Sequence, residues 1–318
     1  MIVTFTANPS IDRAVELESP LQVGEVQRAD ASREDAGGKG VNVARAIDAA
    51  GVPVLAVVPV DEHDPFRALL ARTPLAVRAV PAAGRVRANL TVTDPSGVTT
   101  KINLPGPVLD ADRARAMIAA VVSACDRAQW LVLAGSLPPG APARFYTDIV
   151  SAVREKWGSA APRIAVDAAG EALRSVVDEA HVDLIKPNDE ELADLCGDTP
   201  DADEDAASAA AERARTLVPD KASSALVTLG AAGALLVSAE GVLRAAAPRV
   251  AVASTVGAGD SSLAGYLIAQ TQGRSPAECL ANAVAYGAAA ASLPGSQAPT
   301  PDDLPPDAIS VAPYLPST

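Results

Sequence analysis

The sequence has few of the side chains on which many enzymes rely for metal binding and disulfide bonding. Its 318 residues include three cysteines and two histidines, and aromatic residues make up only 3%. Cys125, Cys196 and Cys279 are scattered, with the spacing of neither a disulfide framework nor a metal site. His63 and His181 lie far apart in the chain. A structural zinc site and a Ser-His-Asp catalytic triad are therefore disfavoured.

Other absences narrow the class of protein further. No stretch reaches the roughly 18 uncharged apolar residues of a membrane span, and the opening MIVTFTANPS has neither a basic region nor a cleavage site. Positive charge is scarce, since 26 Lys and Arg residues face 39 Asp and Glu residues and leave a net charge of −13. Such a field disfavours binding to nucleic acid and to anionic membranes. We expect a cytoplasmic enzyme, in which any anionic ligand needs a local pocket of Lys and Arg side chains.

What the sequence does contain is a regular alternation of apolar strands and amphipathic helices. Helical spacing of apolar residues occurs at about 39–50, 142–156 and 204–217. Strand-like runs occur at 2–8, 54–60, 130–135, 163–168, 182–188, 224–230 and 233–239. Because these strands are almost continuously apolar, they indicate a mainly parallel sheet that is covered by helices on both faces. The prediction is one α/β domain spanning residues 1–318.

Two segments interrupt this alternation. Residues 11–34 and 86–103 alternate polar and apolar residues, and the second segment contains the turn sequence DPSG. Strands of this type have one solvated face, so we expect a small β lid that covers a site on the main sheet. The proline-rich tail, 300–318, is expected to lie along the surface with little regular structure.

The segment STVGAGDSSLAGYL, residues 254–267, points to a functional site. Gly257, Ala258 and Gly259 stand directly before Asp260, and apolar residues at helical spacing follow it. The first amides of a helix lack internal partners and can bind an anion, and small residues let that anion approach closely. Asp is also a common N-cap residue, so the alternative is that Asp260 only caps the helix.

Four further segments lie near predicted strand ends, where ligands bind in sheets of this kind. They are AGGKGVNVARA (36–46), LAGSLPPG (133–140), IKPNDEEL (185–192) and TLGAAGALL (228–236). Each has a structural alternative when it is taken alone. GGKG lacks the spacing of a Walker loop, and LAGSLPPG is compatible with an ordinary loop. Asn188 and Glu191 are compatible with a simple helix start, and TLGAAG with a hairpin turn.

Together and in this order, the segments resemble the ribokinase-like (PfkB) family of carbohydrate kinases over nearly the whole chain. GGKGVNVA (37–44) and STVGAGDSSLAG (254–265) match the two family signatures. TANPSIDR (6–13) and REDAGGKGVNVARAI (33–47) are similar to the branch that phosphorylates hexose phosphates, above all to bacterial 1-phosphofructokinases and then to tagatose-6-phosphate kinases. The resemblance implies a ribokinase-like fold, with ATP as phosphoryl donor and Mg²⁺ as its counter-ion.

The resemblance also implies roles for individual residues. Asp260 is the expected catalytic base, and the amides of Gly257, Ala258 and Gly259 are the expected anion hole for the transferring phosphoryl group. These are the positioning and electrostatic elements that phosphoryl transfer requires. The residues expected to bind the sugar phosphate are Asp12, Gly37, Gly38, Lys39, Asn42, Arg87, Asn89, Ser136 and, from a shorter match, Arg28. Lys39 is a candidate for either the sugar phosphate or the γ-phosphate.

The nucleotide and metal residues follow from the same resemblance. Those expected near ATP are Lys186, Asn188, Thr228, Gly230, Gly233, Gly259 and Asn282. Asn188 and Glu191 match the family's N-x-x-E element, which positions Mg²⁺ partly through water. The implied reaction is phosphorylation of fructose 1-phosphate to fructose 1,6-bisphosphate by ATP, in a protein that could pair as a homodimer through its lid. The alternatives are tagatose-6-phosphate kinase or 6-phosphofructokinase activity, a kinase of unphosphorylated sugars or nucleosides, and a nucleotide-binding module without catalysis.

Overall fold

The computed structural model describes residues 1–82, 84–198 and 205–315, which form one large and one small β-sheet. The strands of the large sheet are β1 (Ile2–Thr6), β4 (Val54–Pro59), β5 (Val77–Val80), β8 (Trp130–Ala134), β9 (Arg163–Asp167), β10 (Leu184–Ile185), β11 (Ser224–Thr228), β12 (Ala234–Ser238), β13 (Gly241–Ala245) and β14 (Val311–Pro313). The strands of the small sheet are β2 (Ser10–Leu17), β3 (Ala29–Gly37), β6 (Arg87–Thr93) and β7 (Thr99–Asn103).

The large sheet is mainly parallel, as predicted. Its order is β14-β13-β12-β11-β10-β9-β8-β1-β4-β5, and the strands from β11 to β5 pair in parallel. The strands β12, β13 and β14 continue the sheet antiparallel to one another. The expected strand 182–188 is shortened to β10, since Lys186 is followed by Pro187, which has no N–H to donate.

Helices cover both faces of the large sheet, which confirms that part of the prediction. They are α1 (Lys39–Ala49), α2 (Pro65–Leu70), α3 (Ala111–Ala124), α4 (Phe145–Trp157), α5 (Gly170–Glu179), α6 (Asp189–Cys196), α7 (Ala206–Arg215), α8 (Ala258–Thr271) and α9 (Pro276–Ser292). Alternate residues of a strand point to opposite faces. Accordingly, Leu131 and Leu133 of β8 pack in the core with α3 and α4, whereas Trp130 and Val132 pack in the core with α1 and α8. No helix of the described residues is long and apolar enough to cross a membrane.

The small sheet is built from the two segments predicted to form it. Its order is β3-β2-β6-β7, in which β2 and β6 run parallel and the two outer pairs run antiparallel. The turn DPSG joins β6 to β7, where Gly97 N donates to Asp94 O at 2.9 Å. Because β1 leads into β2, and β3 leads into α1, the small sheet lies at the carboxyl end of β1.

The expectation for the tail is wrong in part. Residues 311–313 form the edge strand β14, which pairs with Leu243–Ala245 of β13. A strand of three residues has too short a pattern to be recognised from the sequence, and its stability comes from pairing with an existing sheet edge. Residue 204 of the predicted helix 204–217 and residues 316–318 of the tail lie outside the described residues.

Candidate active site

The start of α8 brings Asp260 to the carboxyl end of the large sheet. Gly257 is the N-cap, with a φ of 78° that residues with a side chain rarely adopt, and no side chain caps the helix. The first helical hydrogen bond runs from Ser261 N to Gly257 O at 2.8 Å, so the amides before Ser261 have no partner within the helix. Asp260 is therefore the third helical residue, and the alternative that it is the N-cap is wrong.

The Asp260 carboxylate is held by a second helix. Its side chain is almost buried, at 6% exposure, and its Oδ2 accepts a hydrogen bond from Asn42 Nδ2 of α1 at 2.8 Å. Burial, followed by repulsion from Asp167, raises the pKa of Asp260 to about 6, although Lys39, Asn42 and Lys186 oppose the shift. The carboxyl group can therefore change its protonation state near neutral pH, as a general base must.

A buried cluster of opposite charges lies beside Asp260. Asp167, at the end of β9, is fully buried, and its Oδ1 accepts from Lys39 Nζ at 2.7 Å. Its Oδ2 lies 3.4 Å from Nζ of Lys186, which is 3% exposed. Burial alone would lower the pKa of Lys39, but Asp167, Glu191 and Asp260 outweigh it and raise that pKa above the ordinary value of lysine. Lys39 is thus held as a cation near Asp260, and Lys186 lies at the other oxygen of the same Asp167 carboxylate.

The N-x-x-E residues form a capping box at the start of α6. Asn188 Oδ1 accepts from Glu191 N at 2.6 Å, and Glu191 Oε2 accepts from Asn188 N at 2.9 Å. The other Glu191 oxygen, Oε1, lies 3.5 Å from Lys39 Nζ. Within the described ranges, no three acidic, histidine or cysteine side chains converge as metal ligands would. These oxygens fit a hydrated cation held through water better than one held directly.

A second carboxylate, Asp12, lies on the small sheet. Asp12 Oδ1 accepts from Ser10 Oγ at 2.7 Å and from Asn89 Nδ2 at 3.1 Å. Burial raises the pKa of Asp12, against the opposing effects of Ser10, Asn89 and Arg87. A side chain at Gly37 would overlap the Asp12 carboxylate and would have to displace it. Gly38 is the N-cap of α1, which begins at Lys39. Gly37 and Gly38 therefore connect the Asp12 carboxylate, which Gly37 contacts, to Lys39.

Arg87 and Ser136 meet at the junction of the two sheets. Arg87 Nη2 lies 3.5 Å from Ser136 Oγ, and Arg87 Nη1 donates to Leu104 O at 3.2 Å. Both residues line an open pocket of about 680 Å³, together with Asn8, Asn103 and the loop 137–141. An arginine and a hydroxyl on one pocket wall make a suitable pair of donors for a phosphate group.

Several polar atoms on this side of the site are buried without a hydrogen-bond partner among the described residues. They are Asn8 Oδ1, Asn42 Oδ1, Asn89 Oδ1 and Arg87 Nε. Buried polar groups in folded proteins are normally paired, because leaving one unpaired is costly. A cluster of unpaired donors and acceptors is therefore what a site for a polyhydroxy ligand would present.

The remaining residues predicted to bind the nucleotide lie on β11, in the turn after it and on α9. Thr228 ends β11 and forms an isolated bridge with Asn188, and Gly230 and Gly233 flank the turn between β11 and β12. No heavy atom lies within 4 Å of the Cβ position at Gly230, so the turn is open there, whereas a Cβ atom at Gly233 would overlap Ala245 O. Asn282 Nδ2 donates to Gly265 O at 2.6 Å, which ties α9 to α8.

One predicted residue stays apart from the others, and two relevant residues were missed. Arg28 is exposed in the loop between β2 and β3, and the structure does not bring it into contact with the other candidates. Asp167 was taken only as part of a strand, although an acid at the end of an apolar strand lies where ligands bind. Asn8 lies within TANPSIDR, but the sequence does not indicate a binding or catalytic role for it. Their hydrogen bonds with Lys39 and Leu137 span 128 and 129 residues, which no local pattern reveals.

The chain is similar to carbohydrate kinases along almost its whole length. The model of the "pfkB family carbohydrate kinase" matches residues 6–303. The chain is 34% identical to the 1-phosphofructokinase of Haloferax volcanii, over 96% of this chain and 95% of that one. It is also 34% identical to the ATP-dependent 6-phosphofructokinase isozyme 2 of Escherichia coli, over 95% and 96% of the two chains.

The fold gives the same result. The phosphofructokinase-2 of Escherichia coli, in complex with substrates and products, superposes with a TM-score of 0.85 at 33% identity, over 95% of this chain and 96% of that one. The predicted ribokinase-like architecture is thereby confirmed. With a family match over more than nine-tenths of its length, the chain belongs to the pfkB family of carbohydrate kinases.

Proposed function

We propose that the protein transfers the γ-phosphoryl group of ATP to a hydroxyl of a ketohexose monophosphate, with fructose 1-phosphate as the favoured acceptor. The observation that carries this proposal is the placement of Asp260. Its carboxylate is buried in the first turn of α8, next to amides without helical partners and to two lysines. A base, an anion hole and cations are thus gathered at one place, as phosphoryl transfer requires.

In the proposed reaction, Asp260 accepts the proton of the sugar 6-hydroxyl as the oxygen attacks the γ-phosphorus. The new O–P bond forms as the bond to the β-phosphate oxygen breaks, and ADP carries away the bonding electrons. The amides of Gly257, Ala258 and Gly259 stabilise the negative charge on the transferring group. Lys39 faces Asp167 and Glu191 rather than the small sheet, which favours the γ-phosphate as its partner over the sugar phosphate.

The sugar phosphate is proposed to bind between the sheets. Arg87 and Ser136 would bind its phosphate. Asp12 would accept hydrogen bonds from its hydroxyls, and Asn89 would form hydrogen bonds with them. Gly37, Gly38 and Asn42 would line the same part of the site. An Arg fork matches a phosphate dianion in geometry and charge. Because Asp260 is in the first turn of α8 and Arg87 begins β6 of the small sheet, the phosphate would be held away from the reacting hydroxyl. Fructose 1-phosphate meets this condition, since its phosphate and its 6-hydroxyl are at opposite ends.

ATP is proposed to lie along Thr228, Gly230 and Gly233, with its adenine near Asn282 and its phosphates near Lys186. Glu191 and Asn188 would hold Mg²⁺ through water, because their oxygens already serve the capping box. When bound, Mg²⁺ would neutralise phosphate charge. We place this reaction in the cytoplasm, in accord with three cysteines that form no disulfide.

The choice of acceptor needs a direct measurement, because the two relatives named for different phosphofructokinase activities are equally similar to this chain. The test is kcat/KM for fructose 1-phosphate, fructose 6-phosphate, tagatose 6-phosphate, fructose and ribose at the same Mg-ATP concentration. We expect fructose 1-phosphate to be preferred and both free sugars to react poorly, since they leave the cationic pocket unpaired. A preference for tagatose 6-phosphate would assign the sister activity. A preference for a free sugar would overturn the proposal.

We also infer that the protein pairs as a homodimer through the small sheet. Ten large apolar side chains are exposed among the described residues, and six of them lie on this sheet or its connections. They are Leu21, Val23, Val26, Val98, Ile102 and Leu104. Concentrated exposed apolar surface is typical of interaction sites. Sedimentation velocity should show a dimer that Val26→Asp converts to monomer; a monomeric parent protein would contradict the inference.

A further inference from the structure

Asn8 is a buried side chain with a position between two loops of the site. It follows β1 and is 6% exposed. Its Nδ2 donates to Leu137 O at 3.4 Å, and its Oδ1 has no partner among the described residues. An apolar side chain would fill this space without leaving a buried oxygen unpaired. Packing alone therefore does not account for an asparagine here.

The other side of the Asn8 amide lies against Gly106. A Cβ atom added to Gly106 would overlap Asn8 Oδ1 and lie 3.0 Å from its Cγ. Gly106 belongs to the loop that follows β7, which also contains Leu104. Asn8 thus touches this loop on one side and the loop with Leu137 on the other. Changes in the size of either partner should move the two loops relative to each other.

These contacts form a closed ring that includes the phosphate pair. Arg87 donates to Leu104 O and lies 3.5 Å from Ser136 Oγ. The chain continues from Leu104 to Gly106, and from Ser136 to Leu137. Asn8 closes the ring between Gly106 and Leu137, opposite the Arg87 guanidinium. It also lines the same pocket as Arg87 and Ser136.

We propose that Asn8 is a positioning residue that sets the spacing between Arg87 and Ser136 for the phosphate of the substrate. This inference rests on the proposed function, and it adds a residue that acts on acceptor affinity through the two loops. If Arg87 and Ser136 move relative to each other by well under an ångström, their hydrogen bonds to the phosphate are weakened. The affinity for the sugar phosphate should therefore fall. None of the residues proposed to bind ATP belongs to this ring of contacts, so KM for ATP should not change.

The test compares Asn8→Ala, Gly106→Ala and the double variant by steady-state kinetics with fructose 1-phosphate and Mg-ATP. Each single variant should raise KM for fructose 1-phosphate about tenfold, while kcat and KM for ATP stay within about twofold. In the double variant the methyl group at position 106 enters the space that the amide has left. The KM of the double variant for fructose 1-phosphate should therefore be no higher than that of Asn8→Ala alone. If the two substitutions acted independently, this KM would instead rise about a hundredfold above that of the parent protein.

The matched control is Gln129→Ala, which removes an exposed amide next to the amino end of β8, at the opposite end of this strand from Ser136. It should leave both KM values within about twofold of those of the parent protein. Equal increases in the two KM values, or independent effects of the two single variants, would overturn the proposal. The proposed function is tested separately, on the parent protein and before any variant is made. It would be overturned if the parent protein phosphorylated none of the hexose phosphates.

Discussion

The buried charges at the end of the large sheet and the polar side chains of the small sheet differ in burial and in pairing. Asp167, Lys186 and Asp260 are at most 6% exposed, and each has a charged or hydrogen-bonded partner from another element. On the small sheet, Arg87 is partly exposed, and polar atoms of Arg87 and Asn89 are buried without partners among the described residues. In the first region the charges are already paired without substrate, although Asp167 Oδ2 accepts no hydrogen bond and has only Lys186 Nζ, 3.4 Å away. In the second region, donors and acceptors are left without partners.

This difference assigns separate tasks to the two regions. Charges that are fixed before the reaction can stabilise a transition state without further reorganisation, so changes among them should lower kcat. Donors and acceptors without partners gain them when a ligand binds, so changes among them should mainly raise KM. If substitutions in the two regions had the same kinetic signature, this division of tasks would be wrong.

The largest effect is expected for Asp260→Asn. The amide has nearly the same shape as the carboxylate and can still accept from Asn42, but it cannot take a proton. We expect kcat to fall at least about 100-fold, the usual scale for loss of a general base, with little change in KM. ATP binding by calorimetry and the melting temperature should stay close to those of the parent protein. Near-native turnover would remove Asp260 from the role of base.

The next effect is expected for Arg87→Ala on the small sheet. A charge-assisted hydrogen bond contributes roughly 1.5–3 kcal/mol, so KM for fructose 1-phosphate should rise about 10- to 100-fold, with KM for ATP nearly unchanged. The matched control is Arg13→Ala, since Arg13 is on the same sheet but pairs with Glu34 at the surface. Equal changes in both KM values would mean that Arg87 serves the nucleotide or the fold.

The pH dependence gives a smaller but more specific effect. Asp260 must be ionised to accept a proton, and its pKa is raised to about 6, so kcat/KM should fall as the pH drops through this value. Asp167 is one cause of that raised pKa. Asp167→Asn removes the like charge and should shift the acidic limb of the profile to lower pH. The second ionisation of a sugar phosphate also lies near pH 6. If that ionisation caused the acidic limb, the limb would lie at the same pH in Asp167→Asn as in the parent protein.

The extent to which the sequence predicts this molecule depends on the range of the interactions. The helix start at 257–260 is visible because two glycines, an acid and the apolar spacing after them lie within one short segment. The strands of the small sheet are likewise visible from local alternation. The contact between Lys39 and Asp167 spans 128 residues, and nothing local indicates it. The same holds for the ring through Asn8, which four separate segments form.

Tertiary contacts also explain what the local sequence leaves open. The strand β14 has only three residues and depends on the exposed edge of β13. Glu191 matches a metal-binding pattern, and its carboxylate also caps α6 and lies near Lys39, contacts that the pattern does not show. In both cases the local sequence is compatible with several structures, and the neighbouring element selects one.

The smallest effect is expected for Arg28→Ala, and it tests whether the small-sheet side of the site is complete in one chain. Arg28 was predicted to bind the sugar phosphate, yet it is exposed and is not in contact with the other candidates. KM for fructose 1-phosphate should therefore change less than about threefold, within the range usual for surface substitutions. A tenfold increase would mean that its guanidinium reaches the phosphate from a second copy or after a loop movement. Mixing Arg28→Ala and Asp260→Asn chains separates these two outcomes, because activity would be regained in the mixture only if Arg28 acts across a dimer.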